Sequence, residues 1–437
     1  MLPIIAIVGR PNVGKSTLFN RLIGKRLAVT SPIAGTTRDR IYQQTEIAGR
    51  TAILVDTGGL AFEKKQNIEA DVQTQARIAV QEAHLILFVI DASKNLTAPD
   101  FDASKFLRSS QKPVIVIAHK ADNKSAQENM REIFSMGFGE AVPSSSIHNI
   151  GIIDLEDEIG RAFKKMKFPK QKPAAPDKTV KVAIVGKPNV GKSSIVNAIL
   201  GKQRTIVSEM PGTTIDATDT KFIYQKTDYV LVDTAGLRRR GKRGFIEKFG
   251  VLRALQAISQ ADVACIVLDA GTGLANQDLH VSQYALDSGR GIIIAVNKAD
   301  LMEEAEKEQK KMLAVMQYRM GFIPWAPVIF TSAVTKKNIF KILELSKQIA
   351  QERLKKIPAR ELSVWLQATI YSHPPTRNGK TLRIASVKQN PKYPTEFVFT
   401  ASRPDLIHFS YIRYLENELR RKFGFFGTAL KIKMVKD

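Results

Sequence analysis

Two octapeptides in this chain combine glycines, a lysine and a serine at a spacing suited to holding phosphate. Gly9-Arg10-Pro11-Asn12-Val13-Gly14-Lys15-Ser16 and Gly186-Lys187-Pro188-Asn189-Val190-Gly191-Lys192-Ser193 both fit G-x-x-x-x-G-K-[ST]. Each follows an apolar run and opens a helical pattern, as such a loop requires. The glycines let backbone N–H groups close around phosphates, and the helix N-terminus adds partial positive charge. Lys15 and Lys192 then suit the β- and γ-phosphates of a nucleotide, and Ser16 and Ser193 suit a Mg2+ ion.

Three further motifs follow each loop in the same order. Thr37 and Thr214 lie in GTTRD and GTTID, polar stretches where a hydroxyl can cap Mg2+ once a γ-phosphate is present. Asp56-Thr57-Gly58-Gly59-Leu60 and Asp233-Thr234-Ala235-Gly236-Leu237 each end an apolar run. There the aspartate suits Mg2+ through water, and the glycine N–H suits the γ-phosphate. His119-Lys120-Ala121-Asp122 and Asn297-Lys298-Ala299-Asp300 supply a carboxylate that can accept from guanine N1–H and its exocyclic amine. Adenine lacks the N1–H and would leave an acceptor unpaired, a loss of about 1–3 kcal/mol.

The elements that must carry these residues are themselves duplicated. The phosphate loops are 177 residues apart, an offset kept by Thr37 and Thr214 and by Asp56 and Asp233. It becomes 178 at His119 and Asn297. Within the first copy, β-branched runs at Ile4–Val8, Ile53–Val55, Leu85–Ile90 and Val114–Ala118 alternate with helical segments. That alternation predicts an α/β fold, a mostly parallel sheet with helices on both faces, in which ligands bind at the carboxyl ends of the strands. Lys164–Lys178 has three prolines and a basic run, the composition of an extended linker. The expected organisation is a first domain at 1–166, a linker at 167–178, a second domain at 179–352 and a separate basic unit at 353–437. A helix over Ile342–Lys356 is expected to close the second copy.

Composition bounds the rest. A chain of 437 residues that is 44% hydrophobic is long and apolar enough for several cores, which excludes disordered and fibrous classes. Its 66 Lys and Arg against 42 Asp and Glu leave a net charge of +24. Of this, +11 sits on the last 85 residues, which points to a polyanionic partner such as RNA. Cys265 is the single cysteine and lies in an apolar run, so no disulfide framework or cysteine metal site is expected. The start of the chain lacks a secretory pattern, and no apolar segment is long enough to span a membrane. A cytoplasmic monomer is expected.

The motif order resembles a TRAFAC-class GTPase. Two such domains followed by a small basic domain ending YLENELRRKFGFFGTALKI, Tyr414–Ile432, is similar to the bacterial Der/EngA GTPase family across essentially the whole chain. The resemblance implies GTP binding and hydrolysis in both domains, a KH-like α+β third domain, and a role in maturing the large (50S) ribosomal subunit by contact with its rRNA. It also implies K+: Asn12 and Asn189 look like the asparagines that help hold this ion beside the phosphates. A monovalent cation there would do the work of an arginine finger. Many GTPases orient the attacking water with a Gln after D-x-x-G, but Leu60 and Leu237 stand there and cannot hydrogen-bond it. Slow turnover raised by K+ or by the ribosome is therefore expected.

Three departures from the family pattern carry expectations. His119 lacks the amide that would meet guanine N7 and tie the base loop to the phosphate loop, so the first site should bind less tightly. Ser145-Ser146 stands where the second copy has Ser332-Ala333, a mild change because the useful group is a backbone N–H. The loop after Asp233, with Arg238, Arg239, Arg240, Lys242 and Arg243, is shorter than the resemblance leads one to expect and suits either solvent or rRNA. His84, His280, His373 and His408 do not cluster as metal ligands and read as packing or surface residues. Phe423, Phe425 and Phe426 read as core ahead of base stacking, and Gly424-Phe425-Phe426-Gly427 as a closing motif ahead of an RNA clamp. Two other functions share the motifs. A GTPase in tRNA modification would need an added catalytic domain, which the chain does not display, and an RNA chaperone would bind nucleotide without useful turnover.

Overall fold

Buried β-branched strands build the first sheet. In β1 (Ile4–Val8) all five residues are buried, and the chain passes through the phosphate loop into α1 (Lys15–Gly24). The structure, a computed structural model, describes residues 2–24, 42–57, 77, 79–122, 124–146, 150–168, 179–201, 206–207, 219–234, 246–377 and 380–437. After α1 come β2 (Tyr42–Ile47), β3 (Arg50–Asp56), β4 (Leu85–Asp91), α2 (Ala98–Ser109), β5 (Val114–His119), α3 (Lys124–Ser135), β6 (Val142–Ser144) and α4 (Ile152–Lys165). The strand order is β2-β3-β1-β4-β5-β6, antiparallel only between β2 and β3. Helices on both faces explain why β4 is buried along its whole length, since a parallel sheet has no solvent face. α4 lays Ile152, Leu155, Ile159 and Phe163 on the core, an i, i+3, i+7, i+11 stripe.

The second repeat is built alike. It runs β7 (Val180–Val185), α5 (Lys192–Leu200), β8 (Ile206–Val207), β9 (Thr220–Tyr224), β10 (Thr227–Val232), α6 (Ile246–Gln260), β11 (Val263–Asp269), α7 (Asn276–Asp287), β12 (Gly291–Asn297), α8 (Ala305–Arg319), β13 (Val328–Phe330) and α9 (Lys341–Arg353). The sheet order is β13-β12-β11-β7-β10-β9-β8. Cys265 in β11 is fully buried, and burial pushes its thiol up to about 12, so it packs as a small apolar residue. α9 fits the closing helix expected at Ile342–Lys356, stopping at Arg353.

A third core follows, with α10 (Ala359–Ser372), β14 (Thr376–Arg377), β15 (Lys380–Thr381), β16 (Ile384–Gln389), β17 (Glu396–Ala401), α11 (Phe409–Phe423) and β18 (Lys431–Lys436). β17 pairs antiparallel with β16 and parallel with β18. Trp365 packs its edge on Phe399 and Phe423, joining both helices to the sheet. The chain forms two compact units, one ending at Lys172 and the other spanning Pro173–Asp437. The second unit fuses the second repeat to the small C-terminal domain. Among the described residues no helix is long and apolar enough to cross a membrane.

Candidate functional site

Each phosphate loop leaves the carboxyl end of a central strand and opens a helix, β1 to α1 and β7 to α5. Gly14 and Gly191 sit at φ +101° and +95°, where L side chains are strained. Space forbids one as well: a Cβ on Gly14 would lie 2.4 Å from the His119 ring, and one on Gly191 would lie 2.2 Å from the Asn297 amide. Asn12 and Asn189 also adopt the left-handed region, at +66° and +64°, which asparagine tolerates, and both are exposed at the loop tips beside exposed Pro11 and Pro188. Val13 and Val190 turn inward to the cores. The Lys15 amine donates to the Arg10 carbonyl at 2.7 Å, and the Lys192 amine donates to the Lys187 carbonyl. Burial pushes both amines down, against the opposing pull of Asp56 on Lys15 and of Asp278 on Lys192, which comes to about 8.

At the end of β3, Asp56 accepts the Ser16 hydroxyl at 2.7 Å, bringing together two hard oxygen donors of the kind Mg2+ takes. Thr57 donates back to the Ile7 carbonyl at 2.7 Å, fixing the turn after the strand. In the second repeat Asp233 lies at φ +55° with its N–H on Asp219 at 2.9 Å, and Thr234 shares a 2.6 Å hydroxyl contact with Thr220. Ser193 follows Lys192 in the first turn of α5. Thr37, Gly58, Gly59, Leu60, Thr214, Ala235, Gly236, Leu237 and the basic loop from Arg238 to Arg243 lie outside the described residues.

The segments His119–Asp122 and Asn297–Asp300 begin at the last residues of β5 and β12. The Asn297 amide donates to the Val190 carbonyl at 2.9 Å, while its oxygen accepts from Ala333 N–H at 3.2 Å. Base loop and phosphate loop are thus tied by one side chain. In the first repeat the His119 ring lies against Gly14, and its Nδ1 pairs with the Ser144 hydroxyl at 3.0 Å. Burial, with Lys120 adding, pushes this imidazole down. Ala121 and Ala299 donate to the Ser144 and Thr331 carbonyls at 3.1 and 3.0 Å, and Asp122 and Asp300 project exposed carboxylates.

Both repeats match the family model described as 50S ribosome-binding GTPase, over residues 4–120 and 181–298. Residues 356–434 match the KH-domain-like C-terminal region of EngA bacterial GTPase enzymes. GTPase Der of Thermomicrobium roseum is 43% identical over 443 residues, covering 99% of this chain and 95% of that protein. The chain belongs to the GTPase Der family. GTPase Der of Lactobacillus johnsonii is likewise 43% identical, over 99% of this chain and 98% of that protein. Among solved structures, Era in complex with MgGDPNP and nucleotides 1506–1542 of 16S ribosomal RNA is 19% identical, covers 59% of this chain and 93% of that chain, and has a TM-score of 0.31. As a Der-family member the protein is a GTP-binding GTPase with two α/β G domains and a small KH-like α+β domain.

Four aspartates of this Der-family site escaped the motif reading. Asp91 and Asp269, at the ends of β4 and β11, bind the Lys120 and Lys298 amines at 2.7 and 2.6 Å. Burial alone would raise both carboxyls, but hydrogen bonds from these lysines and from nearby backbone N–H groups hold them below the usual range. Asp100 and Asp278, near the starts of α2 and α7, meet the second residue of each phosphate loop: Arg10 at 3.3 Å and Lys187 at 3.2 Å. The signal was available, since both pairs keep the 178-residue offset. Gly424-Phe425-Phe426-Gly427 forms the junction between the KH-like domain and the second G domain. Phe425 is fully buried against Phe397, its N–H donates to Glu352 at 2.8 Å, and Gly427 accepts from Ile292 N–H at 2.8 Å.

Proposed function

We propose that this GTPase is a nucleotide-dependent switch that binds the large (50S) ribosomal subunit through its rRNA and assists the subunit's maturation, as a cytoplasmic monomer. The proposed organisation is G domains at 1–166 and 179–352, joined by a linker at 167–178, with the basic domain at 353–437. The observation that carries the reading is that the domain with +11 charge is joined at Gly427 to Ile292 in β12, the strand that ends at the base-reading Asn297. A polyanion held by that domain and a nucleotide read by that strand then act on one rigid element. The description of the family model matched by both repeats, a 50S ribosome-binding GTPase, supports the choice of partner.

On this reading Lys15 and Lys192 leave the carbonyls they hold and donate to the β- and γ-phosphates, while backbone N–H groups of the loops cradle the rest. Asp122 and Asp300 accept from guanine, and Asn297 holds base loop and phosphate loop in register. Ser16 and Thr37, with Asp56 through water, and Ser193 and Thr214, with Asp233 through water, would hold Mg2+, while Asn12 and Asn189 would give oxygen to K+. Bound Mg2+ and K+ supply positive charge where negative charge builds on the phosphates. Thr37 and Thr214 order their loops on γ-phosphate and release them afterwards, which is the switch.

GTP turnover by the full chain, measured in KCl or NaCl with and without purified large subunits, tests the reading. Turnover raised by K+ and again by large subunits supports it. Turnover equal in both salts removes K+, and turnover indifferent to subunits favours an RNA chaperone with idle G domains.

A further inference from the structure

The second residue of each phosphate loop is engaged at both ends. Its carbonyl holds the loop's own lysine, Lys15 on Arg10 and Lys192 on Lys187. Its side chain is ion-paired with a carboxylate, Arg10 Nε with Asp100 at 3.3 Å and without a hydrogen bond, and Lys187 with Asp278 at 3.2 Å, each carboxylate only 1% exposed.

Both carboxylates also touch the helix start beneath them. Asp100 Oδ2 accepts the Thr97 N–H at 3.0 Å and its hydroxyl at 2.7 Å, and Asp278 Oδ2 accepts the Ala275 N–H at 2.9 Å. Helix capping uses only one oxygen of each carboxylate. In each case Oδ1 is buried with no hydrogen-bond partner among the described residues, a desolvation cost that a smaller capping side chain would avoid. Both repeats keep two contacts to this carboxylate, the N–H at the helix start and the cation of the loop's second residue, although the hydroxyl of Thr97 is lost at Ala275 and the cation changes from Arg10 to Lys187.

We propose that Asp100 and Asp278 are positioning residues for nucleotide binding: each moors the phosphate loop through the side chain at position 10 or 187. The N–H groups and the lysine that must meet the phosphates then start from one fixed place. This rests only on the GTPase activity of the family, and it holds whether or not the ribosome is the partner. A moored loop gives up less conformational freedom when GTP arrives, so losing the mooring raises KM and leaves kcat near its starting value.

The test uses the full chain carrying Lys15→Ala, so that the second site reports alone, with a fluorescent GTP analogue. Lys187→Met and Asp278→Asn should each weaken binding about tenfold, and the double variant about tenfold as well, because both remove the same tether. Lys187→Arg rebuilds the pair as the first repeat makes it and should recover most of the affinity. In steady state the Asp278→Asn effect should fall on KM, with kcat within about twofold. If Asp278→Asn does not melt cooperatively, Lys187→Met decides alone, since that side chain is 18% exposed and can be changed without opening the core. Unchanged affinity in Lys187→Met overturns the proposal. So do single losses that multiply to about a hundredfold in the double variant, which would mean that Lys187 acts only as a charge near the phosphates.

Discussion

Asn297 donates its side-chain amide to the Val190 carbonyl at 2.9 Å, which joins the end of β12 to the Gly186–Ser193 loop. His119, its counterpart, rests its ring on Gly14 and pairs with Ser144 at 3.0 Å. The first site therefore has a different tie between its two halves. His119→Asn should tighten first-site GTP binding about fivefold, the worth of one net hydrogen bond. Titration of a fluorescent GTP analogue into the full chain with Lys192→Ala, which silences the second site, reads this directly. Equal affinities would mean that the imidazole replaces the amide fully.

The carboxylate of Asp300 is exposed, so its removal opens no cavity in the core and tests base recognition. Asp300→Ala in the Lys15→Ala chain should weaken GTP by about 1–3 kcal/mol and leave the weak binding of ATP unchanged. Competition of each nucleotide against the fluorescent analogue measures both. An equal loss for GTP and ATP would show that the side chain supports the loop and does not read the base.

Much of this was legible because strand, loop and helix follow one another in the order the motif needs, and because the chain contains its own second copy. The buried strands at Ile4–Val8 and Leu85–Asp91 announce themselves by β-branched residues, and Gly14 and Lys15 by fixed spacing. Asp91 and Asp100 did not, because their partners Lys120 and Arg10 are remote in sequence, and a lone aspartate after a strand or at a helix start has ordinary capping explanations. The junction at Phe425 was legible as core, but its partner Glu352 was not, since a glutamate near the end of a charged helix looks solvated.

His84 supplies a pH test of the first core. Its Nδ1 accepts the Ile4 N–H at 3.0 Å, and burial, with Lys112 adding, pushes the imidazole down to about 4. Between the ordinary histidine value of about 6.5 and this lower one, the unfolded chain binds a proton that the folded chain refuses. Stability from this group is therefore full above that window and is lost as pH falls through it. Urea melts of the full chain at about pH 7 and about pH 5 should show a smaller loss in His84→Asn than in the parent. Equal losses would place the acid sensitivity elsewhere.

Glu352 holds the KH-like domain against the second G domain by accepting the N–H of fully buried Phe425 at 2.8 Å. Glu352→Leu leaves that donor unpaired and should destabilise the second unit by about 1–3 kcal/mol. The midpoint of urea unfolding followed by tryptophan fluorescence reports it, because Trp325, stacked under Arg420 at 4.4 Å, sits at the same junction. An unchanged midpoint would mean that water replaces the carboxylate without loss.

The central claim is that GTP controls attachment to the large ribosomal subunit. The most direct measurement is co-sedimentation of the full chain with isolated large and small subunits under GDP, GTP and a non-hydrolysable GTP analogue. Salt is held at one physiological value, because a protein of charge +24 adheres to any RNA when screening is weak. The account predicts binding to large subunits with the triphosphate forms, and little with GDP or with small subunits. Equal binding to both subunits in every nucleotide state would contradict it.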